Sequence, residues 1–282
     1  MNSVVRVVTG YRFFPVSVPA ALRDRLEAMA QDAGVLGTLL VAGEGVNLSM
    51  AGTPDELAAF RSGLARILGN ALMPSLQESP AEVERPFRRL RVRLREEIVA
   101  LGRPRDLHEF EAATEVSVAE WEALLADPEV PVIDVRNSYE TAAGGFQGAI
   151  DPATRRFRDF PAWVEAHLDP EQTPAVAMYC TGGIRCTKAA AWMRGQGFER
   201  VYELGGGILR YLAEAREQAG SWQGECFVFD ERISLLPGLE QGTLQVCEGC
   251  GQPVDPEARK RARFDQTERC ESCQQQGHRA LP

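Results

Sequence analysis

Cys180 stands directly behind an apolar run, Ala175-Val176-Ala177-Met178-Tyr179, and directly ahead of Thr181-Gly182-Gly183-Ile184-Arg185. A free thiol has a pKa near about 8.5 and is mostly protonated at neutral pH, so a reactive cysteine needs help to ionise. This loop contains that help. Gly182 and Gly183 let the backbone turn its N–H groups inward, the following helix presents its N-terminus, and Arg185 adds a guanidinium. The chemistry implied is nucleophilic or redox work by a thiolate at Cys180, with Thr181, Gly182, Gly183 and Ile184 forming the cradle and Arg185 stabilising charge. The competing reading, a small hydrophobe buried at a strand end, accounts for the cysteine but not for the loop that follows it. Cys186, one residue past the loop, reads as a packing residue at the helix start, with a resolving thiol as the alternative.

A second group of cysteines implies different chemistry. Cys247-Glu248-Gly249-Cys250 and Cys270-Glu271-Ser272-Cys273 are two Cys-x-x-Cys turns separated by 19 residues, a spacing suited to four thiolates on one zinc ion. Such an ion would fold a segment with little apolar surface of its own and would be structural. Two redox-active or free pairs are the alternative. Cys226 reads as packing and His278 as a tail residue. Seven cysteines in all, an odd number, fit thiols in a reducing compartment better than a disulfide framework.

The elements that must position these groups fall into three parts. Residues 4–18 read as a strand, and Leu22, Leu26, Met29 and Ala33 follow at helical spacing. A second helix opens at Thr53-Pro54-Asp55-Glu56, with Thr53 as N-cap and Glu56 completing a capping box. Phe87, Leu90, Val92 and Leu94 suggest the closing strand, and Tyr11, Phe13 and Phe14, at strand spacing, read as core, with stacking on bases as the alternative. Strand, helix, two strands, helix, strand is the order of a ferredoxin-like α+β domain, placed at residues 1–101. A linker is set at 102–116. Residues 117–222 open with a helix at Ser117 and contain the apolar runs 130–135 and 175–179, without polar alternation, as in strands buried on both faces of a parallel sheet. The cysteine-rich tail occupies 223–282.

The chain has 282 residues, a formal net charge of −9 and 44% hydrophobic residues, which fits globular domains and argues against coating nucleic acid by charge alone. Basic residues are nonetheless clustered. Arg85, Arg88, Arg89, Arg91, Arg93, Arg95, Arg103 and Arg105 face only Glu96 and Glu97 within residues 85–105, and smaller groups recur at 155–158 and 259–263. The N-terminus has no secretory pattern and no apolar run reaches about 18 residues, so the expectation is a soluble, cytoplasmic protein without a membrane segment.

Val132-Ile133-Asp134-Val135-Arg136, Glu140, Gly148-Ala149 and the 179–186 segment resemble the opening and active-site motifs of the rhodanese family. With Gly43-Glu44-Gly45-Val46-Asn47, Asp134-Val135-Arg136-Asn137-Ser138-Tyr139-Glu140, Gly145-Phe146-Gln147-Gly148-Ala149-Ile150, Leu204-Gly205-Gly206-Gly207-Ile208 and Cys226-Phe227-Val228-Phe229-Asp230, the chain is more narrowly similar to the rhodanese-domain tRNA uridine hydroxylases. The resemblance implies an α/β rhodanese-like domain and oxygen-dependent formation of 5-hydroxyuridine at the tRNA wobble position. It places the essential cysteine at Cys180 and an anion-facing arginine at Arg185. Asp134 and Arg136 match supporting positions, for which a structural salt bridge is an equal reading. Gly145-Phe146 departs from the Gly-His-Ile common in rhodaneses, which argues against simple sulfur transfer, and the six-residue loop is one shorter than in related phosphatases. The partner implied is the anticodon region of tRNA. Arg89, Arg91, Arg93 and Arg95, and possible counterparts at 259–263, are the phosphate-binding candidates, with a solvated strand face as the alternative. Oxygen is the implied co-substrate, and no flavin, haem or NAD signature is present. A persulfide-carrying sulfurtransferase and a non-enzymatic RNA-binding module are the rival functions. The enzymatic reading expects Cys180 sulfur to be accessible, with main-chain amides pointing at it.

Overall fold

The computed structural model describes residues 5–69, 75–103, 113–215, 220–254, 269–270 and 273. The basic cluster at 259–263, Arg105, most of the 102–116 linker and His278 lie outside the described residues.

The N-terminal part runs β1 (Arg6–Phe13), α1 (Pro19–Asp32), β2 (Leu36–Ala42), β3 (Gly45–Gly52), α2 (Pro54–Leu68), β4 (Gln77–Pro80) and β5 (Leu90–Leu94). Its sheet has the order β4-β1-β3-β2-β5. The first four strands are antiparallel neighbours, while β5 lies parallel to β2. Val8, Leu39, Leu48 and Met50 from the sheet meet Leu26, Leu57, Phe60 and Leu64 from the two helices in one buried cluster. The start of α2 is fixed locally, since the Glu56 N–H donates to Thr53 Oγ1 and the Thr53 N–H donates to Glu56 Oε2 at 2.7 Å.

The strand that closes the βαββαβ unit is β4, not the 87–94 segment that its apolar pattern suggests. Gln77-Glu78-Ser79-Pro80 is short and polar and sits at a sheet edge, where one flank needs no apolar partner, so it carries no periodic signature. The 90–94 segment is an added fifth strand on the opposite edge.

The second part contains β6 (Thr114–Val116), α3 (Val118–Ala126), β7 (Val132–Asp134), α4 (Ser138–Thr141), β8 (Gly144–Phe146), α5 (Phe160–His167), β9 (Ala175–Tyr179), α6 (Ile184–Arg194), β10 (Arg200–Leu204) and α7 (Gly207–Ala215). A parallel sheet of order β6-β10-β9-β7 forms its centre. Every residue of β9 is buried. Ala175, Ala177 and Tyr179 join a cluster with Trp121, Phe146 and Tyr211, while Val176, Met178 and Cys180 join another with Ile133, Phe160 and Met193. Alternate side chains thus fill opposite faces, which explains the unbroken apolar run.

The tail adds three small ladders. β11 (Trp222–Gly224) pairs with β8, β12 (Cys226–Phe227) with β13 (Ser234–Leu235), and β14 (Gln245–Val246) with β15 (Pro253–Val254). Ion pairs join the three parts. Lys188 on α6 donates to Glu44 at 2.8 Å, to Glu97, and to the Val99 carbonyl at 2.9 Å, reaching the N-terminal part with its ammonium almost fully buried. The neighbouring Lys188 holds the Glu97 carboxyl below its usual range despite the opposing effect of burial. In the tail, Arg232 pairs with Asp230 at 2.7 Å and donates to Ser79 Oγ at 2.7 Å and the Pro80 carbonyl at 2.9 Å, both at the β4 edge. Among the described residues no helix is long and apolar enough to cross a membrane.

Candidate active site

Cys180 follows the last residue of β9, and residues 181–183 turn the chain into α6. Gly183 has φ of +97°, a left-handed conformation that favours glycine, and its N–H donates to Cys180 Sγ at 3.2 Å. The loop is held from behind by the start of α7, where the N–H groups of Ile208 and Leu209 each donate at 3.0 Å to the carbonyls of Cys180 and Thr181. Gly207 (φ +66°) permits this approach, since a Cβ there would fall 2.5 Å from the Cys180 carbonyl oxygen.

The cysteine is 0% exposed, which corrects the expectation of an accessible sulfur. It belongs to the buried apolar cluster that also holds Val135, Met178, Cys186 and Ala189. Burial alone would raise its pKa. The Cys186 thiol donating to it, the charge of Arg185 and the N–H groups of Cys186 and Arg185 outweigh that effect and bring it from 9.0 down to about 5. Cys186 is pushed up by burial and by the adjacent sulfur, so it keeps its proton. The pair is therefore an anionic sulfur beside a neutral thiol.

Arg185 forks onto Glu140, with Nη1 to Oε2 at 2.6 Å and Nη2 to Oε1 at 2.7 Å, and also donates to Thr181 Oγ1 at 3.2 Å. Glu140 is fully buried, and although burial favours its neutral form, Arg185 keeps its pKa low. The guanidinium is thus fixed by one carboxylate before it serves the loop. Asp134 and Arg136 form a second buried pair, Nη2 to Oδ2 at 2.6 Å. Arg136 also donates to the Gly144 carbonyl at 2.5 Å and lies 5.6 Å from the Tyr179 ring centroid. That pair supports the strand and helix beneath the loop.

The N-terminal part supplies a cover. Tyr11 hydroxyl lies against Gly183, where an added Cβ would come within 2.8 Å of it. It shares a hydrogen bond with Thr187 Oγ1 at 2.9 Å, and Thr187 donates to Glu203 at 3.1 Å. Burial, with a further contribution from Cys180, pushes the Glu203 carboxyl up to about 8. Tyr11 is thereby corrected from a core residue to a wall residue of the site, whereas Phe14 packs on the N-terminal core.

Above the loop lies a cavity of about 550 Å³ where all three parts meet. Thr181, Gly182, Ile184 and Arg185 form its floor, Tyr11 and Asn47 come from the N-terminal sheet, and Phe229 comes from the tail. Arg156 and Arg158, from one of the smaller basic clusters, also line it. Arg89 and Arg91 line an adjoining groove that shares Phe87 and Phe229 with the cavity, and Arg95 lines a separate hollow. Arg89, Arg91, Arg93 and Arg95 are all exposed.

In the tail, the sulfurs of Cys247, Cys250, Cys270 and Cys273 lie within 4.8 Å of one another. Cys250 and Cys270 are 3.8 Å apart. Four thiolates on zinc at about 2.3 Å would be separated by ~3.8 Å along each tetrahedral edge. The Gly249 and Cys270 N–H groups donate to Cys247 Sγ at 3.3 and 3.1 Å, which orients that sulfur and would stabilise its charge as a metal thiolate. The donor set fits a metal ion.

Thr187 and Glu203 escape a sequence reading as site residues. Asn137 and Phe229 stand in segments that carry the family likeness, and Tyr11 in the aromatic group of the first strand, but all three reach the site only through folding. Glu140 carries a sequence trace, three residues after Asn137, whose N–H donates to its Oε2 at 3.1 Å, yet its role as the arginine's partner depends on a contact with a residue 45 positions further along the chain.

Two family models match the chain, an acylphosphatase-like domain of the UPF0176 type over residues 5–98 and a rhodanese-like domain over residues 117–214. The chain is 46% identical over 279 residues to the tRNA uridine(34) hydroxylase of Caulobacter vibrioides, covering 96% of this chain and 87% of that protein. It is 44% identical to the protein of that name from Agrobacterium fabrum, covering 93% and 83%. With the Deinococcus radiodurans protein of that name it shares 43% identity, covering 93% and 86%.

Proposed function

The chain belongs to the tRNA uridine(34) hydroxylase family, and from that premise we propose that it hydroxylates the wobble uridine of tRNA with Cys180 as the reactive thiolate. The observation that supports this reading best is a buried sulfur held ionised, pKa about 5, by the Cys186 thiol, the Arg185 guanidinium and main-chain N–H groups, in a loop whose Thr181, Gly182, Ile184 and Arg185 floor a cavity of about 550 Å³. Oxygen is the co-substrate and 5-hydroxyuridine the product. Replacing a ring C–H by C–OH with one atom of O2, the other leaving as water, consumes two protons and two electrons per uridine, the electrons coming from an external two-electron reductant.

Each residue has a part in this scheme. Gly183 and the first amides of α6 hold charge on Cys180, Arg185 adds its positive field, and Glu140 keeps Arg185 in place. Asp134 and Arg136 brace the strand end. Thr181, Gly182 and Ile184 form the surface the substrate meets. The anticodon region binds through phosphate contacts with Arg89, Arg91, Arg93 and Arg95. The four tail cysteines hold a structural zinc ion, which supplies folding energy to that segment when bound.

The test is nucleoside mass spectrometry of tRNA from a strain lacking this gene, complemented with the wild-type chain or with Cys180→Ser. Restoration of 5-hydroxyuridine derivatives by the wild type only is the expected result. Unchanged levels in the uncomplemented strain would remove the proposal. Thiocyanate formation from cyanide, with an extra sulfur retained on Cys180, would favour sulfur transfer instead.

A further inference from the structure

Asn137 stands at the N-terminus of α4 and lines the cavity. Its Nδ2 donates to the Tyr139 hydroxyl at 2.9 Å, but its Oδ1 is buried with no hydrogen-bond partner. Buried acceptors are nearly always satisfied, so an unpaired one in a cavity wall points to a donor that arrives with a ligand. Phe229 is 59% exposed, large and apolar, and stands where the cavity joins the groove lined by Arg89 and Arg91. Tyr139 meets it edge to face, with ring centroids 6.4 Å apart, and so braces the exposed ring. A buried acceptor, an exposed aromatic face and an arginine-lined groove leading away from them match an unstacked base with its phosphate backbone outside.

We propose that this cavity is the receptor for the extruded uracil base, with Asn137 Oδ1 accepting the ring N3–H and Phe229 providing the stacking face at the entrance. The inference rests on the hydroxylase reading for the identity of the base. It goes further in assigning the residues that select it. Uracil has a donor at N3, whereas cytosine has an acceptor there, so Asn137 would reject cytidine by leaving two acceptors opposed. Arg89 and Arg91 then serve the flanking phosphates along the adjoining groove.

The test uses the full-length chain and an anticodon stem-loop RNA with photoactivatable 4-thiouridine at position 34. Cross-links are expected in the peptides that contain Tyr139 or Phe229. Cross-links confined to other peptides, or none, would overturn the assignment. Phe229→Ala should weaken binding of the uridine-34 stem-loop by between about fivefold and about a hundredfold, and Phe229→Trp should restore it. The wild type should prefer uridine over cytidine at position 34 by about tenfold, and Asn137→Ala should abolish that preference while general RNA binding persists. An unaltered preference in Asn137→Ala, or unaltered binding in Phe229→Ala, would overturn the corresponding role. Product formation by the wild-type chain is measured separately, so a failure of the hydroxylase reading is told apart from a failure of the base receptor.

Discussion

The two cysteine sites make opposite use of the same atom. At Cys180 a single sulfur is surrounded by fixed dipoles and one guanidinium, and its neighbour Cys186 keeps its proton and donates to it. In the tail four sulfurs converge within 4.8 Å, so that four negative charges would face one another at contact distance. One charge can be stabilised by a neighbouring thiol, a guanidinium and a few N–H groups, and the sulfur needs no metal. Four charges at that spacing need a cation, and once ligated they become part of the scaffold. The contrast shows that paired cysteines acquire their chemistry from the number of sulfurs sharing a site and from what else is aimed at them.

The largest expected effect separates the sites by function. Cys180→Ser should lower hydroxylation by at least about a thousandfold, as loss of a reactive group typically does, while leaving bound metal at one ion per chain. Metal content and nucleoside analysis on the same preparation check both halves. A Cys180→Ser protein that lost its metal would break the comparison.

Next is the support of the thiolate. Arg185→Met leaves Glu140 buried without its partner and should destabilise the fold by about 3–5 kcal/mol, read from urea unfolding. Adding Glu140→Gln should recover much of that loss without recovering activity, because the sulfur would still lack its nearby positive charge. Equal stability of Arg185→Met and wild type would show that the fork does not hold the loop.

On the tail side, Cys270→Ser should release the metal and open residues beyond 244 to proteolysis, with the unfolding transition of residues 117–222 retained. Chelation should reproduce this in the wild type. Loss of both transitions together would mean that the tail is integral to the second domain.

The smallest signal sharpens the comparison most directly. The thiolate absorbance of wild type minus Cys180→Ser should persist from neutral pH down to about 5 and titrate there, in place of the ordinary 9.0. The folded-state value is depressed, so its contribution to stability is complete above about pH 9 and is lost as the pH falls through about 5. A midpoint near 8 or 9 in the difference spectrum would show that the Cys186 thiol, Arg185 and the amides do not govern the sulfur.

Much of the architecture was legible because it is written locally. Thr53 with Glu56 and Ser117 with Glu120 close capping boxes within three residues. The 175–179 run announces a strand buried on both faces, and the loop 180–185 carries its two glycines and arginine in one contiguous stretch. The Cys-x-x-Cys turns likewise bring each sulfur pair together by short-range geometry. Less was legible where polarity hid a role. The edge strand β4 has no apolar alternation, and the aromatic pattern around Tyr11 suggested core for a side chain that covers the active loop.

From the residues alone came most of the elements, the polar edge strand β4 excepted, with the loop cysteine and the family likeness, because capping, periodicity and motif spacing act over a few positions. Only the tertiary structure decided that the sulfur is sealed, that Arg185 is held by Glu140, and that Asn137, Phe229 and Arg156 share one cavity. The last three residues come from different stretches of the chain, and their meeting follows from how the sheets and the tail ladders pack. Sequence spacing limits which neighbours a residue has along the chain, whereas burial, unpaired acceptors and shifted pKa values depend on every atom within a few ångströms, whichever segment supplies it.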